Sequence, residues 1–322
     1  MSYRPTYFDR LPAGAVLQKT DGIEPYVFND DIVIAVDVAL ATNRPLLVSG
    51  NPGSGKSRLA DAIAAVQGWN LLSKTVTSRT RLESLTVEVD QLRRLNDAQA
   101  RREDSELKPD AYYLNPGIFW WAFQPGTASL RGMNAGQAHR YGVALPYPGN
   151  QRGDGPRQPA VLLIDEIDKA EPDLPNDLLE PLDRRRFDLP DGFRMDGGES
   201  RITGAEGITL LTVITTNGER ELPPAFLRRC VTIELPDPDA DKLVEIALKH
   251  FPDGNRARIE ALAVRMSAFR DKARDRRRRP PGTAEFLDAI HACEKLKIEV
   301  SDDEESVWKR IENAVLFKDT RA

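Results

Sequence analysis

The chain has few of the residues that build metal and disulfide frameworks. Its 322 residues include two cysteines, Cys230 and Cys293, and three histidines, His139, His250 and His291. The cysteines lie far apart, the histidines are scattered, and neither residue type recurs at metal-ligand spacing. Neither a zinc site nor a disulfide framework is therefore suggested, and a reducing compartment fits. No Ser/His/Asp or Cys/His grouping points to a nucleophilic hydrolase. No apolar run approaches the ~18 residues of a membrane span. The opening residues carry no apolar signal region, so a cytoplasmic location without membrane contact is the expectation. The formal net charge of -5 provides no global basic field, so nucleic acid is not the expected partner.

One octapeptide stands out, Gly50-Asn51-Pro52-Gly53-Ser54-Gly55-Lys56-Ser57. It fits the phosphate-loop pattern G-x-x-x-x-G-K-[S/T] at every fixed position. Pro45 to Ser49 before it reads as a short buried strand, and Arg58 to Val66 after it reads as a helix. Glycines free the backbone to turn successive N–H groups toward an anion, backed by the positive end of the helix. Lys56 then reaches the β- and γ-phosphates, and the Ser57 hydroxyl suits Mg²⁺. Gly50 through Ser57, with Arg58 following, are the candidate nucleotide-binding residues.

Ala160 to Ile164 reads as an apolar strand, ending in Asp165-Glu166. Two acids there sit at the carboxyl edge of a sheet, where open α/β sheets bind ligands. Asp165 suits Mg²⁺ and Glu166 suits a general base for water. An ordinary helix N-terminus would also favour acids. The strand before Asn217 offers a polar group to position water, although Asn before Gly218 is also a common turn former. Arg228 and Arg229 offer guanidinium groups for transition-state charge, or form a solvated pair before the last strand.

Strands are expected at 45–49, 71–77, 160–164, 207–216 and 231–235, with helices at 29–42, 58–66, 81–100 and 176–184. The stretch 125–158, rich in glycine and proline, reads mostly as loop. Phe187 to Phe193 suggests a hairpin. After the proline pair Pro236 and Pro238 only helical patterns follow. This alternation predicts a parallel α/β domain followed by a small all-α domain. The expected divisions are an irregular arm at 1–28, a nucleotide-binding domain at 29–237 with an insert at about 101–158 and a hairpin at about 186–206, and a helical domain at 238–322. The aromatic group Tyr112, Tyr113, Phe119, Trp120 and Trp121 reads chiefly as core. The run Arg276-Arg277-Arg278-Arg279 reads as a solvated helix end.

Together these motifs resemble an AAA+ ATPase. Gly50 to Ser57 resembles Walker A, Leu162 to Glu166 Walker B, Asn217 sensor 1, and Arg228-Arg229 the arginine-finger region. More specifically the chain is similar to the MoxR/dynein-related, helix-2-insert branch. Pro116-Gly117-Ile118-Phe119, Asp165-Glu166-Ile167-Asp168-Lys169-Ala170 and Leu222-Pro223-Pro224-Ala225-Phe226-Leu227 carry that likeness. The resemblance implies a five-stranded parallel sheet sandwiched by helices, a helical lid, ATP and Mg²⁺, and a homohexameric ring with ATP between subunits. It places Arg229 rather than Arg228 on the finger. It implies a chaperone acting on a protein client, such as a von Willebrand A domain protein. In Pro280-Pro281-Gly282-Thr283-Ala284-Glu285-Phe286, Ala284 stands where the family often has the sensor 2 arginine, and Arg279 is one candidate to replace it. Thr77 to Arg81 lacks the aromatic of peptide-threading rings. The alternative functions are a nucleotide-dependent switch with little hydrolysis, and a nucleic-acid motor or McrB-like GTPase subunit.

Overall fold

A computed structural model describes residues 3–20, 22–100, 108–152, 155, 159–205, 207–275, 280–298, 300 and 306–311. Five strands form the central sheet: β1 (Leu46–Gly50), β2 (Asn70–Thr75), β3 (Ala160–Asp165), β4 (Leu210–Thr216) and β5 (Val231–Leu235). All neighbours are parallel, in the order β5-β1-β4-β3-β2. The sheet is covered on both faces, as an all-parallel sheet requires, so its strands read as continuous apolar runs.

Alternation along each strand divides the core. Leu46, Val48, Val161, Leu163 and Val213 face one side, with helices α1 (Asp30–Thr42) and α2 (Lys56–Gln67). Leu47, Leu72, Leu162, Ile164 and Ile214 face the other, against Phe119, Trp120 and Phe123. All five aromatics of the expected cluster are buried. They pack as core rather than facing outward.

Helix α1 begins at Asn29, whose side chain accepts from the Ile32 N–H, and ends at Asn43 in the left-handed region. Helix α2 starts directly from the glycine loop and ends at the left-handed Gly68. The all-α part follows β5, with α3 (Ala240–His250), α4 (Arg256–Asp275), α5 (Thr283–Leu296) and a short helix Val307–Ile311. Its own core gathers Phe286, Ile290, Met266 and Trp308.

Two expectations are corrected. The helix expected at 81–100 is broken into Leu82–Leu85 and Gln91–Gln99 by a strand, Val87–Val89, that pairs antiparallel with Leu114–Pro116. The β-branched residues Thr86, Val87 and Val89 outweigh the helical spacing around them once a partner strand is present. The stretch 125–158 carries two short helices, Pro125–Ser129 and Ala135–Arg140, in a segment otherwise read as loop. Pro125 sits in the first turn, where its missing N–H costs nothing, and Asn134 caps the second helix. In the stretch 186–206, Arg186–Asp188 pairs antiparallel with Arg201–Thr203.

The second correction concerns the first 28 residues, which are not simply irregular. Val16–Leu17 pairs with Tyr26–Val27, and Phe8, Ala15 and Phe28 are buried. Asp37 of α1, also buried, accepts from the Tyr3 hydroxyl and from the backbone N–H groups of Thr6, Tyr7 and Phe8. The segment is thereby fastened to the sheet's first layer.

Candidate functional site

The site lies at the carboxyl edge of the sheet, beside the β1–β4 pair where the strand order reverses. The loop after β1 turns through Gly50, Gly53 and Gly55, all at positive φ. At Gly50 a Cβ would lie 2.6 Å from the Leu235 carbonyl oxygen, so no side chain fits between β1 and β5. Buried Lys56 curls over the loop, donating from Nζ to the carbonyls of Gly50 at 2.8 Å and Asn51 at 2.9 Å. The Asn51 side chain donates to Asp237, which ties the loop to the segment after β5.

The acidic strand end meets this loop. Ser57 Oγ donates to Asp165 Oδ1 at 2.7 Å, and Thr215 Oγ1 donates to the same oxygen at 2.6 Å. Thr215 Oγ1 also accepts from the Glu166 N–H. Glu166 itself is left-handed, at φ 61°, a strained backbone for a residue with a Cβ. Its carboxylate accepts from Asn217 Nδ2 at 3.5 Å and from Lys169 Nζ at 2.7 Å. That bond to Glu166 holds the exposed Lys169 ammonium above its ordinary range.

Three elements thus bring together Lys56, Ser57, Asp165, Glu166 and Asn217. Two further residues organise them, and sequence reasoning gave neither a role. Thr215 bridges Asp165 to the Glu166 backbone. Buried Asp168 accepts from the N–H groups of Asn217 and Glu219 and so fixes the turn that carries Asn217. Asp168 stands in a quoted motif and Thr215 in the strand before Asn217, and only the tertiary contacts reveal what they do.

A cavity of about 600 Å³ opens beside the loop. Its walls come from three regions: Tyr26 and Val27 of the N-terminal segment, Leu235 and Pro236 after β5, and Ile246, Ala284 and Leu287 of the helical part. Ala284 therefore does stand at the loop, and no arginine of α5 does. Arg58 lies at the cavity rim, in ion pairs with Glu24 and Asp61 that are loose, at 3.8 and 3.9 Å. The run Arg276 to Arg279, and with it Arg279 as a replacement, lies outside the described residues.

Arg228 and Arg229 are not brought to the loop. The parallel register sets Val231 beside Leu46 and Leu235 beside Gly50. Both arginines therefore lie at the opposite end of the sheet from Gly50, beyond the ~13 Å that Val231 to Leu235 spans at ~3.3 Å per residue. Arg229 Nε donates to Asp183 at 2.5 Å, and its Nη1 donates to the Ala225 carbonyl. Beside it, burial pushes the Cys230 thiol up to about 12, and the side chain is inert packing.

Among the described residues no three His, Cys, Asp or Glu cluster to hold a metal ion. The oxygen donors Ser57 and Asp165 fit a hard cation that keeps most of its shell from water and phosphate. Ser54 Oγ is buried in the loop without a hydrogen-bond partner, as a cradle for an anion allows. Among the described residues no helix is long and apolar enough to cross a membrane.

The parallel sheet, the glycine loop feeding α2, and the serine–aspartate contact define a P-loop nucleotide-binding domain. A family model described as AAA domain (dynein-related subfamily) matches residues 45–230, more than half of the chain. The chain belongs to that family, a class of nucleotide-dependent P-loop ATPases. No curated protein matches the chain closely enough to add a relative.

Proposed function

We propose that the protein is an Mg²⁺-dependent, MoxR-like ATPase that works as a ring, a homohexamer by resemblance, and remodels a protein client. The observation that carries this reading is the Ser57–Asp165 contact, which joins the phosphate loop to the acidic strand end beside Glu166.

In this reading the loop N–H groups and Lys56 hold the triphosphate of ATP. Ser57 and Asp165 hold Mg²⁺, which supplies charge neutralisation and polarisation of the phosphate oxygens when bound. Glu166 accepts the proton of the attacking water, oriented by Asn217. Arg229 stands at the far end of its own sheet, so it serves the site of an adjoining copy, and the complete site needs two subunits. The apolar walls Tyr26, Val27, Ile246 and Leu287 receive the base. Hydrolysis changes the set of the helical lid on the sheet, and that motion acts on the client. A von Willebrand A domain protein is the first client to test.

Glu166→Gln tests the reading. Nucleotide binding should persist while phosphate release falls by about 10²-fold or more. Turnover at the wild-type rate would remove Glu166 as the base.

One observation favours a second reading, a switch that binds nucleotide and barely turns over: Ala284 lines the cavity where a lid arginine is expected. Single-turnover cleavage by the assembled protein with Mg²⁺ separates the two. No cleavage under those conditions selects the switch.

A further inference from the structure

Arg44 stands in the corner between α1 and β1, away from the nucleotide cavity. Its guanidinium faces three consecutive carbonyls. Nε donates to the Arg229 carbonyl at 3.1 Å, and Nη2 donates to the carbonyls of Arg228 and of Cys230, the latter at 3.1 Å. The planar fork of an arginine suits this convergence, and a single ammonium does not.

The clamp is not needed to pair the strands. The Val231 N–H already donates to the Pro45 carbonyl at 2.8 Å, and β5 runs in register along β1. Arg44 instead sets the orientation of the turn before β5, which carries both arginines. Two other bonds link that turn to the same corner indirectly, through the end of the helix Leu179–Arg184. Asp183 holds the Arg229 side chain, and Arg185 donates to the Asn43 side chain. Strand β1 leads from this corner directly into the phosphate loop.

We propose that Arg44 is a positioning residue that presents Arg229 to the nucleotide site of an adjoining copy of this chain. The proposal rests on the reading that Arg229 acts in trans. Arg44 does not line the nucleotide cavity of its own subunit, so its loss should leave that subunit's own site competent and disable the site of its neighbour.

The test is complementation between variants. Arg44→Ala alone should bind nucleotide like the wild type, with turnover lower by on the order of tenfold to a hundredfold. Glu166→Gln alone should be inactive and keep its arginines in place. Mixed assemblies of the two should regain turnover, because the Glu166→Gln subunit presents Arg229 to an intact site in the Arg44→Ala subunit. Arg44→Lys should fall between wild type and Arg44→Ala, and it is the variant to read if the alanine variant does not fold. Arg229→Ala mixed with Glu166→Gln calibrates the experiment. If that pair regains turnover while Arg44→Ala alone turns over like wild type, Arg44 has no such role. If Arg44→Ala is slow and the mixture does not rescue it, Arg44 acts within its own subunit and the proposal fails. If Arg229→Ala is not rescued either, the trans reading of Arg229 falls first and the proposal falls with it.

Discussion

Ser57 Oγ donates to Asp165 Oδ1 at 2.7 Å, across 108 residues of chain. One oxygen of Asp165 thus receives two hydroxyls, because Thr215 donates to it as well. This shared oxygen makes Thr215 a sensitive probe of the site. Thr215→Val keeps the shape but removes the Asp165 donor and leaves the Glu166 N–H without its acceptor. About tenfold slower turnover and a higher Mg²⁺ requirement are expected, since one such bond is worth ~1 kcal/mol or more. Thr215→Ser should stay near wild type. Phosphate release across a Mg²⁺ titration measures both, and an unchanged Mg²⁺ dependence in the valine variant would exclude the role.

Asp37 is the fastening of the N-terminal segment. Burial alone would raise its carboxyl, but bonds from the Tyr3 hydroxyl and the backbone N–H groups of Thr6, Phe8 and Tyr7 outweigh it and hold the group below the ordinary carboxylate range. Asp37→Ala strips these donors of their acceptor at once. A loss of about 3 kcal/mol of stability is expected by denaturant titration. Nucleotide affinity should weaken too, because the same segment carries Tyr26 and Val27 into the cavity wall. A depressed carboxyl stabilises the fold above its unfolded value of ~3.9 and stops doing so as pH falls through the lower folded value. The difference between wild type and variant should therefore narrow only in that acidic window.

The central sheet and the phosphate loop were legible in the sequence because each has a short local signature. The apolar runs at Ala160 and Leu210 can form little but buried strands, and the octapeptide at Gly50 specifies its own turn. The broken helix at 81–100 was not legible. Val87 and Val89 become a strand only through Leu114 and Pro116, whose pairing is not local. The same holds for the site. Lys56, Ser57, Asp165 and Glu166 announce themselves through motifs, whereas Asp168 and Thr215 act through bonds to residues about fifty positions away. The Tyr26–Val27 wall of the cavity had no signal, since two residues of apolar strand carry no period.

His250 of α3 links the helical part to the N-terminal segment. Its Nδ1 lies 3.3 Å from Glu24 Oε2. Burial holds the imidazole below its ordinary range, Glu24 opposes that, and Arg58 and Lys19 reinforce it. A histidine depressed in the folded state stabilises the protein above its unfolded value of ~6.5 and loses that contribution as pH falls through the folded value. Wild-type stability should therefore decline as pH drops below ~6.5. His250→Asn should flatten the decline, as measured by denaturation at pH values on either side. An identical slope in the two proteins would exclude His250 as its source.

Gly282 precedes α5 and touches the phosphate loop itself. A Cβ there would lie 2.6 Å from the Pro52 carbonyl oxygen and 3.0 Å from the Gly53 Cα. The next residue, Thr283, donates its N–H to the Gly53 carbonyl at 3.1 Å. Backbone thus meets backbone where Ala284 supplies no arginine. Its φ is -90°, which any residue adopts, so the constraint on Gly282 is space rather than backbone strain. Gly282→Ala should push the start of α5 off the loop at a cost of ~1–3 kcal/mol. Because α5 also walls the cavity through Leu287, nucleotide affinity should fall by about tenfold, with the parallel sheet and its core unaffected. Binding titrations with a fluorescent nucleotide, alongside thermal unfolding, measure the two effects separately. Wild-type affinity in Gly282→Ala would show that the lid does not need this contact to close over the site.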